Sequence, residues 1–278
     1  MRISTDQMAR FQSAAERTYK DSLLPHAEAY FPTVYDVCGP DGMAVCIDSA
    51  VGRARAAGFH GRASVRTWFD MAMLLGADFD ADPLLAFLQP HLDWDAAREA
   101  LKNRDPDRPE GIVGGGDEPD PIDMLDALHA DAWDWIDRTA GDNYGNLYRA
   151  LARLAALLGR DDVALPDDPA GLIKACARIF PEKAEAAEDA AMKAFLTAAA
   201  IRAAADGFAP GDGRSIYILR CFVGGIGAFH DPAYAVDGRT CADLPPEGQA
   251  RIDAHRLFII DYARRLIDAA RRFGAEGG

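Results

Sequence analysis

Three aspartates at alternate positions, Asp78, Asp80 and Asp82 in the segment GADFDADP, have the spacing of the first three ligands of a calcium-binding loop. Such a loop also needs a glycine at its sixth position and a bidentate glutamate at its twelfth. Here those positions hold Pro83 and Gln89. We therefore predict no metal site, and we interpret the segment as a helix end followed by an Asp-Pro turn.

The residues that could act as nucleophiles or bases form no recognisable catalytic group. The six histidines form no H-E-x-x-H motif, and no serine lies in a G-x-S-x-G motif. His230 beside Asp231 has the composition of an oriented general base, but a loop histidine next to an aspartate is more often structural. We predict a protein that is not an enzyme and has no cofactor. The alternative is an enzyme with a helical pocket lined by carboxylates.

Charge and cysteine content restrict the classes of partner and the compartment. The 278 residues include 30 Lys and Arg against 44 Asp and Glu, a formal net charge of -14. Phosphate backbones and anionic lipids repel such a polyanion, so we expect neither a nucleic-acid nor a membrane partner. The five cysteines are odd in number and none are spaced as C-x-x-C, which is typical of reduced thiols. The sequence predicts a cytoplasmic protein.

Apolar residues that recur every three or four positions predict helices along most of the chain. Asp120-Pro121 and Asp168-Pro169 each place an N-cap residue before a proline at the first helical position. A seven-residue apolar spacing predicts a long final helix that ends before Gly274. Runs of alternating β-branched residues are missing from the sequence. The predicted fold class is all-α.

The segment from 105 to 121, DPDRPEGIVGGGDEPDP, is too rich in Pro, Gly and Asp to form a helix or a strand. It predicts a linker between an N-terminal helical unit, residues 1–104, and a C-terminal helical unit, residues 122–278. Residues 105–142 contain twelve acidic residues and two arginines, a net charge of -10. Whether the two units share one core is open from the sequence.

Residues at helix boundaries recur at a constant offset of 149 positions, from 31 to 180 onward. Of the 53 positions from 31 to 83, twelve are identical to the residue 149 positions later. The pairs include Phe31-Pro32 with Phe180-Pro181, Arg53 with Arg202, Gly58 with Gly207, Gly76 with Gly225, and Asp82-Pro83 with Asp231-Pro232. Because these residues begin and end helices, we predict an internal duplication of one helical unit. Two unrelated helical hairpins with similar caps are the alternative.

Two tryptophans, Trp133 and Trp135, lie on a predicted helix that also carries Asp131, Asp134 and Asp137. Residues two apart point about 200° away from each other, so one helix face can bury only one ring fully. An exposed tryptophan among carboxylates suits a basic, apolar partner segment. We predict these five residues as a partner-binding site. The alternative is that both rings pack under different neighbours.

The N-terminal unit, over about residues 1–92, resembles a group of uncharacterised helical proteins encoded in type VI secretion gene clusters. The resemblance rests on Gln7-Met8, Phe31-Pro32, the break at Gly58, and the pattern G-x-x-F-D-x-D-P from Gly76 to Pro83. In the family a Pro-Trp pair often follows shortly after, whereas this chain has LLAF at residues 84–87.

This resemblance implies a non-enzymatic accessory role, such as an effector chaperone or co-chaperone, and carries over no catalytic residues. The implied partner is a secreted effector, an adaptor or a spike component. The acidity of the chain leaves one alternative open. An immunity protein could use an acidic face to block a basic toxin.

Overall fold

A computed structural model of the protein describes residues 5–92, 121–160, 164–237, 239–245 and 247–274. These residues form eleven α-helices and five short 3₁₀ helices, and their only β-structure is an isolated bridge between Val236 and Arg239. The predicted all-α fold class is confirmed for this part of the chain. None of the described helices is long and apolar enough to cross a membrane. The predicted linker lies outside the described residues, apart from Pro121.

The α-helices are α1 (Thr5–Tyr30), α2 (Pro32–Ala56), α3 (Arg62–Leu75), α4 (Gln89–Leu92), α5 (Pro121–Thr139), α6 (Gly145–Leu158), α7 (Pro169–Ile179), α8 (Pro181–Ala186), α9 (Asp189–Ala205), α10 (Asp212–Gly224) and α11 (Gly248–Arg272). The 3₁₀ helices are Phe79–Ala81, Pro83–Leu88, Asp142–Tyr144, Pro232–Tyr234 and Cys241–Asp243. Prolines begin α2, α5, α7 and α8, where the missing amide hydrogen is not needed. The predicted N-cap at Asp168 is confirmed, because its Oδ1 accepts a hydrogen bond from Gly171 N at 2.9 Å.

We call residues 5–92 the N-terminal half and residues 164–274 the C-terminal half. Helices α1, α2 and α3 of the first correspond in order to α7, to the pair α8 and α9, and to α10 of the second. A kink in α2 at Gly39 (φ +71°) corresponds, at the offset of 149, to Glu188, where the chain breaks between α8 and α9. The aromatic centres also correspond. Trp68 is fully buried 5.5 Å from the ring of Phe59, and its counterpart Tyr217 lies 5.6 Å from the ring of Phe208.

The paired boundary residues have matching backbone conformations in the two halves. The φ angles are +89° and +80° for Gly58 and Gly207, +102° and +93° for Gly76 and Gly225, and -80° and -70° for Asp82 and Asp231. Side chains disfavour the positive values, which glycine adopts without a steric penalty. At these positions the two halves therefore follow the same path.

Each half places a short 3₁₀ helix against the other half. The 3₁₀ helix Pro83–Leu88 packs on α9, and the 3₁₀ helix Pro232–Tyr234 packs on α2. Helix α11 packs on both α2 and α6. One continuous cluster of buried side chains includes residues of both halves, so the two halves share a core. The unit boundaries at residues 104–105 and 121–122 stay predictions.

Candidate partner-binding groove and the junction between the halves

Helix α5 places its two tryptophans in different surroundings. Trp135 is 4% exposed, and its ring lies 5.5 Å from that of Phe87. Trp133 is half-buried, and its Nε1 donates a hydrogen bond to His129 Nε2 at 2.6 Å. Only one of the two rings is fully buried, as residues two apart on a helix require.

Trp135 and Phe87 line a groove of about 510 Å³ between α5, the 3₁₀ helix Pro83–Leu88 and the break between α8 and α9. The ring of Phe87 reaches solvent, since this residue is 38% exposed. The charged side chains that line the groove are those of Asp131, Asp134, Glu188 and Arg138. Three carboxylates against one guanidinium give the groove a negative lining. We call it the Trp135 groove.

Two carboxylates of the Trp135 groove, those of Asp131 and Asp134, stay accessible although they are paired. Asp131 Oδ2 lies 2.7 Å from His91 Nε2, and Asp134 Oδ2 lies 2.9 Å from Arg138 Nη2. The two aspartate side chains are 52% and 69% exposed. The ion pair of Asp134 with Arg138 is so exposed that it contributes little to stability, so a basic ligand can replace Arg138 at small cost.

Of the five residues predicted to bind a partner, three line the Trp135 groove: Asp131, Asp134 and Trp135. Trp133 and Asp137 are not among its lining residues. The sequence reasoning missed Phe87 and Glu188, which approach α5 from other parts of the chain. The apolar run at residues 84–87 was visible, but no local pattern places it beside α5.

At the junction between the halves, Asp82 joins its own half to the other. Its Oδ1 accepts a hydrogen bond from Leu84 N at 2.9 Å, which caps the 3₁₀ helix Pro83–Leu88. Its Oδ2 accepts a hydrogen bond from Ile226 N in the C-terminal half, also at 2.9 Å. One carboxylate thus satisfies a donor in each half, as buried donors require.

Asp231 makes the reciprocal pair of hydrogen bonds. Its Oδ1 accepts from Ala233 N and its Oδ2 from Ala77 N, both at 2.9 Å. Ala233 and Ile226 lie 149 positions after Leu84 and Ala77, so the two carboxylates have equivalent partners. Burial raises the pKa of Asp231 to about 6 and also raises the pKa of Asp82.

The backbones of the two halves touch beside these carboxylates. A Cβ added at Gly76 would lie 2.7 Å from Gly224 O, and a Cβ added at Gly225 would lie 2.7 Å from Leu75 O. Both distances are shorter than real Cβ contacts allow. Glycine is therefore needed at both positions for the close approach and for the positive φ.

The remaining aspartates of GADFDADP pair with arginines. Asp78 Oδ1 lies 3.0 Å from Arg53 Nη1. Asp78 also forms an ion pair with Arg202, the counterpart of Arg53 in the other half. Asp80 pairs with Arg53 as well. The position equivalent to Asp78 is Gly227, where a Cβ would lie 2.7 Å from Asp78 Cγ. The junction thus has room for one carboxylate between the two arginines.

His230 and Asp231 are neighbours in the sequence but not partners in the structure. His230 Nε2 lies 2.8 Å from Asp206 Oδ1, whereas Asp231 binds backbone amides. Within the described ranges, no group of three or more His, Cys, Asp or Glu side chains could hold a metal ion. A cavity of about 90 Å³ between the halves is lined by Asp231 and by Lys183, whose pKa burial lowers.

Compared with known proteins, the chain matches no family model, and no curated protein or solved structure is significantly similar to it. The resemblance to type VI secretion accessory proteins therefore stays a prediction.

Proposed function

We propose that the protein is a non-enzymatic interaction scaffold, and that the Trp135 groove holds a basic, apolar segment of a partner protein. The observation that carries this proposal is the partly exposed ring of Phe87, which lies 5.5 Å from the ring of Trp135 in a groove whose lining includes three carboxylates. Aromatic rings supply apolar contact area, and carboxylates attract a cationic segment and fix its register. The formal net charge of -14 adds a long-range negative field, which also attracts a cationic segment.

We further propose that the partner is a secreted effector, an adaptor or a spike component of a type VI secretion system, held in the cytoplasm before loading. The sequence resemblance of the N-terminal unit supports this class of partner. The residues that carry the resemblance include Gly76, whose backbone touches the other half, and Asp82, whose carboxylate accepts a hydrogen bond from Ile226 N of the other half. Their role is to build the fold, so a relative with this motif would share the scaffold rather than a catalytic site.

An internal duplication is the origin that we infer for the two halves. It is supported by the matching φ angles and by the reciprocal hydrogen bonds of Asp82 and Asp231. It is also supported by the kink at Gly39, which corresponds in the sequence to the chain break at Glu188. Two unrelated hairpins with similar caps would not require equivalent bonds across a shared junction.

The binding proposal is tested by groove variants and a matched control on the same helix. Asp134→Lys and Phe87→Ser should each weaken binding of an effector or adaptor encoded in the neighbouring genes by about tenfold or more. Asp137→Lys changes charge equally, on an exposed residue of α5 outside the groove, and should leave affinity within about twofold. Isothermal titration calorimetry would give the affinities.

If none of the effectors or adaptors encoded nearby binds the wild-type chain, the type VI proposal is wrong. Equal losses in Asp134→Lys and Asp137→Lys would place the binding surface elsewhere on the protein.

An immunity protein is the second candidate, because the same acidic groove fits the basic surface of a toxin. Co-expression with a toxin encoded nearby separates the two functions. If the wild-type protein rescues growth and Asp134→Lys abolishes this rescue, the protein is an immunity protein. A bound but still active effector would identify a chaperone.

A further inference from the structure

The cavity of about 90 Å³ between the halves has Lys183 of α8 in its lining. Only 8% of this lysine is exposed. Its Nζ lies 5.6 Å from the centroid of the Phe222 ring and forms no hydrogen bond or ion pair with a described residue. Buried ammonium groups are normally paired, because the charge loses its hydration. Lys183 therefore brings an unpaired amine to the wall of the cavity.

The two aspartates of the junction do not supply the missing partner. Burial lowers the pKa of Lys183, and the charge of Asp82 opposes this effect. Asp231 lines the same cavity. Both oxygens of each carboxylate already accept hydrogen bonds from backbone amides. The amine therefore still lacks a hydrogen-bonded anion.

The N-terminal half shows that the fold does not need the polar groups of this cavity. At the offset of 149, Lys183 corresponds to Val34. Tyr234 corresponds in the same way to Leu85, and all four residues line the cavity. A Cβ added at Gly224 would overlap Tyr234 Oη, so this glycine makes room for the phenol. Because burial of an unpaired amine lowers stability and an apolar residue fits the equivalent position, Lys183 suits a ligand better than the fold.

The cavity limits its ligand to a short molecule with an apolar part. A water molecule needs about 10–15 Å³ of such a cavity, so about 90 Å³ admits a ligand of roughly six non-hydrogen atoms. The charged residues of its described lining are Lys183 and Asp231, and apolar side chains such as Val34, Leu85 and Leu151 form much of the rest. The cavity is not fully enclosed, so a small molecule can enter it from solvent.

We propose that the cavity between the halves binds a short-chain monocarboxylate, with its carboxylate on Lys183 Nζ and its apolar chain against Val34 and Leu85. A hydrogen bond between an ammonium and a carboxylate is short and strong, and more so in a cavity with little water. The ligand contacts both halves, so its binding stabilises their junction. This site goes beyond the Trp135 groove, since it takes a small molecule and not a protein segment.

The experiment is an NMR titration of the amide signals of the full chain with acetate, propionate, butyrate and octanoate. A salt concentration of about 0.15 M screens the negative charge of the chain beyond about 8 Å. Propionate and butyrate should bind with a Kd of about 1 mM or tighter. Octanoate is too long for the cavity, and 1-butanol and n-butylammonium lack the negative charge. Each of these three should bind at least about tenfold more weakly than butyrate.

Lys183→Met removes the amine and keeps the length of the side chain. It should weaken butyrate binding about tenfold or more, while the melting temperature stays unchanged or rises, since the equivalent Val34 is apolar. Lys193→Met is the matched control, because Lys193 is exposed on α9 and does not line the cavity. It should leave the affinity within about twofold. Asp134→Lys in the Trp135 groove should also leave it unchanged, so failures of the two sites are distinguishable.

Four results would each overturn the proposal. The first is no binding of any short carboxylate up to about 10 mM, which would show a cavity that holds only water. The others are equal binding of 1-butanol or n-butylammonium, octanoate binding as tight as that of butyrate, and full affinity in Lys183→Met. If Lys183→Met does not fold, the comparison of charge and length with the wild-type chain decides.

Discussion

The two halves of the molecule share a backbone plan but differ in what they expose. Paired glycines and aspartates at the junction have matching φ angles and reciprocal bonds. On the outer faces the halves differ, since Asp48 and Arg55 of α2 pair with α1, whereas the corresponding residues of α9 are Thr197 and Ala204. The comparison indicates that the boundary residues determine the shared backbone path, while the outer surfaces of the two halves carry different side chains.

In the core, two equivalent aromatic residues also differ between the halves, in the hydrogen bonding of their polar atoms. Tyr217 Oη donates a hydrogen bond to Asp206 at 2.7 Å, whereas Nε1 of its counterpart Trp68 is buried without a partner. Asp206 corresponds to Ala57, so the N-terminal half lacks the acceptor. Equivalent rings occupy equivalent sites, but their polar atoms are satisfied in only one half.

The largest effect is expected where the two backbones touch. Gly76→Ala and Gly225→Ala each combine a strained positive φ with a Cβ 2.7 Å from a carbonyl oxygen of the other half. Each should lower the free energy of unfolding by about 3 kcal/mol or more. Urea unfolding followed by circular dichroism measures the loss.

The matched controls for these variants are Gly58→Ala and Gly207→Ala. Both positions have a similar positive φ but nothing within 4 Å of the added Cβ. They should lose only the strain, about 1–2 kcal/mol. Equal losses at all four glycines would show that the backbone contact between the halves contributes nothing.

A smaller loss is expected from the junction carboxylates. Asp82→Ala and Asp231→Ala each leave two backbone amides without an acceptor. We expect each to lower the free energy of unfolding by about 2–4 kcal/mol, because buried donors without partners are costly. Similar losses for both would support the equivalence of the halves. A loss below about 0.5 kcal/mol for either would contradict it.

The pH dependence of Asp231 should differ from that of an ordinary aspartate. Its pKa is raised from the ordinary value of 3.8 to about 6, so the folded protein favours the protonated carboxyl. The stability that protonation adds is fully present below about pH 4 and is lost as pH rises through 6.

Asp231→Asn does not titrate and isolates this effect. The free energy of unfolding of the wild type relative to Asp231→Asn should fall by up to about 3 kcal/mol between pH 4 and pH 7. A constant or rising difference between the two proteins over this range would contradict the raised pKa.

The smallest effect is expected at the partly exposed ion pair between α1 and α2 of the N-terminal half. Arg55→Ala makes this position like Ala204 and removes the ion pair with Glu16, in which both side chains are partly exposed. The loss should stay below about 1 kcal/mol in thermal unfolding. A loss as large as that of the junction variants would mean that the surfaces, and not the boundary residues, determine the fold.

The fold class and the boundary residues could be predicted because helix periodicity and caps are local signals. Asp82 was recognised as a helix boundary for this reason. Its bond to Ile226 could not be predicted, since a contact across 144 residues leaves no periodic pattern. For the same reason the sequence left open whether the halves share a core.

The candidate site could be predicted only in part. The carboxylates of α5 were visible as a cluster, but the choice between Trp133 and Trp135 depends on which face of α5 meets the core. Phe87 and Glu188 reach the Trp135 groove from other segments, so only the tertiary structure places them there.

The most direct test of the shared junction is a double-mutant cycle between Asp82→Ala and Asp231→Ala, measured by urea unfolding. If both carboxylates stabilise one interface, loss of the hydrogen bonds of the first carboxylate reduces the free energy that the second contributes. The two losses should then be non-additive by about 1.5 kcal/mol or more. Additive losses, within about 0.5 kcal/mol, would show two independent caps and would contradict the account of one body built from two equivalent halves.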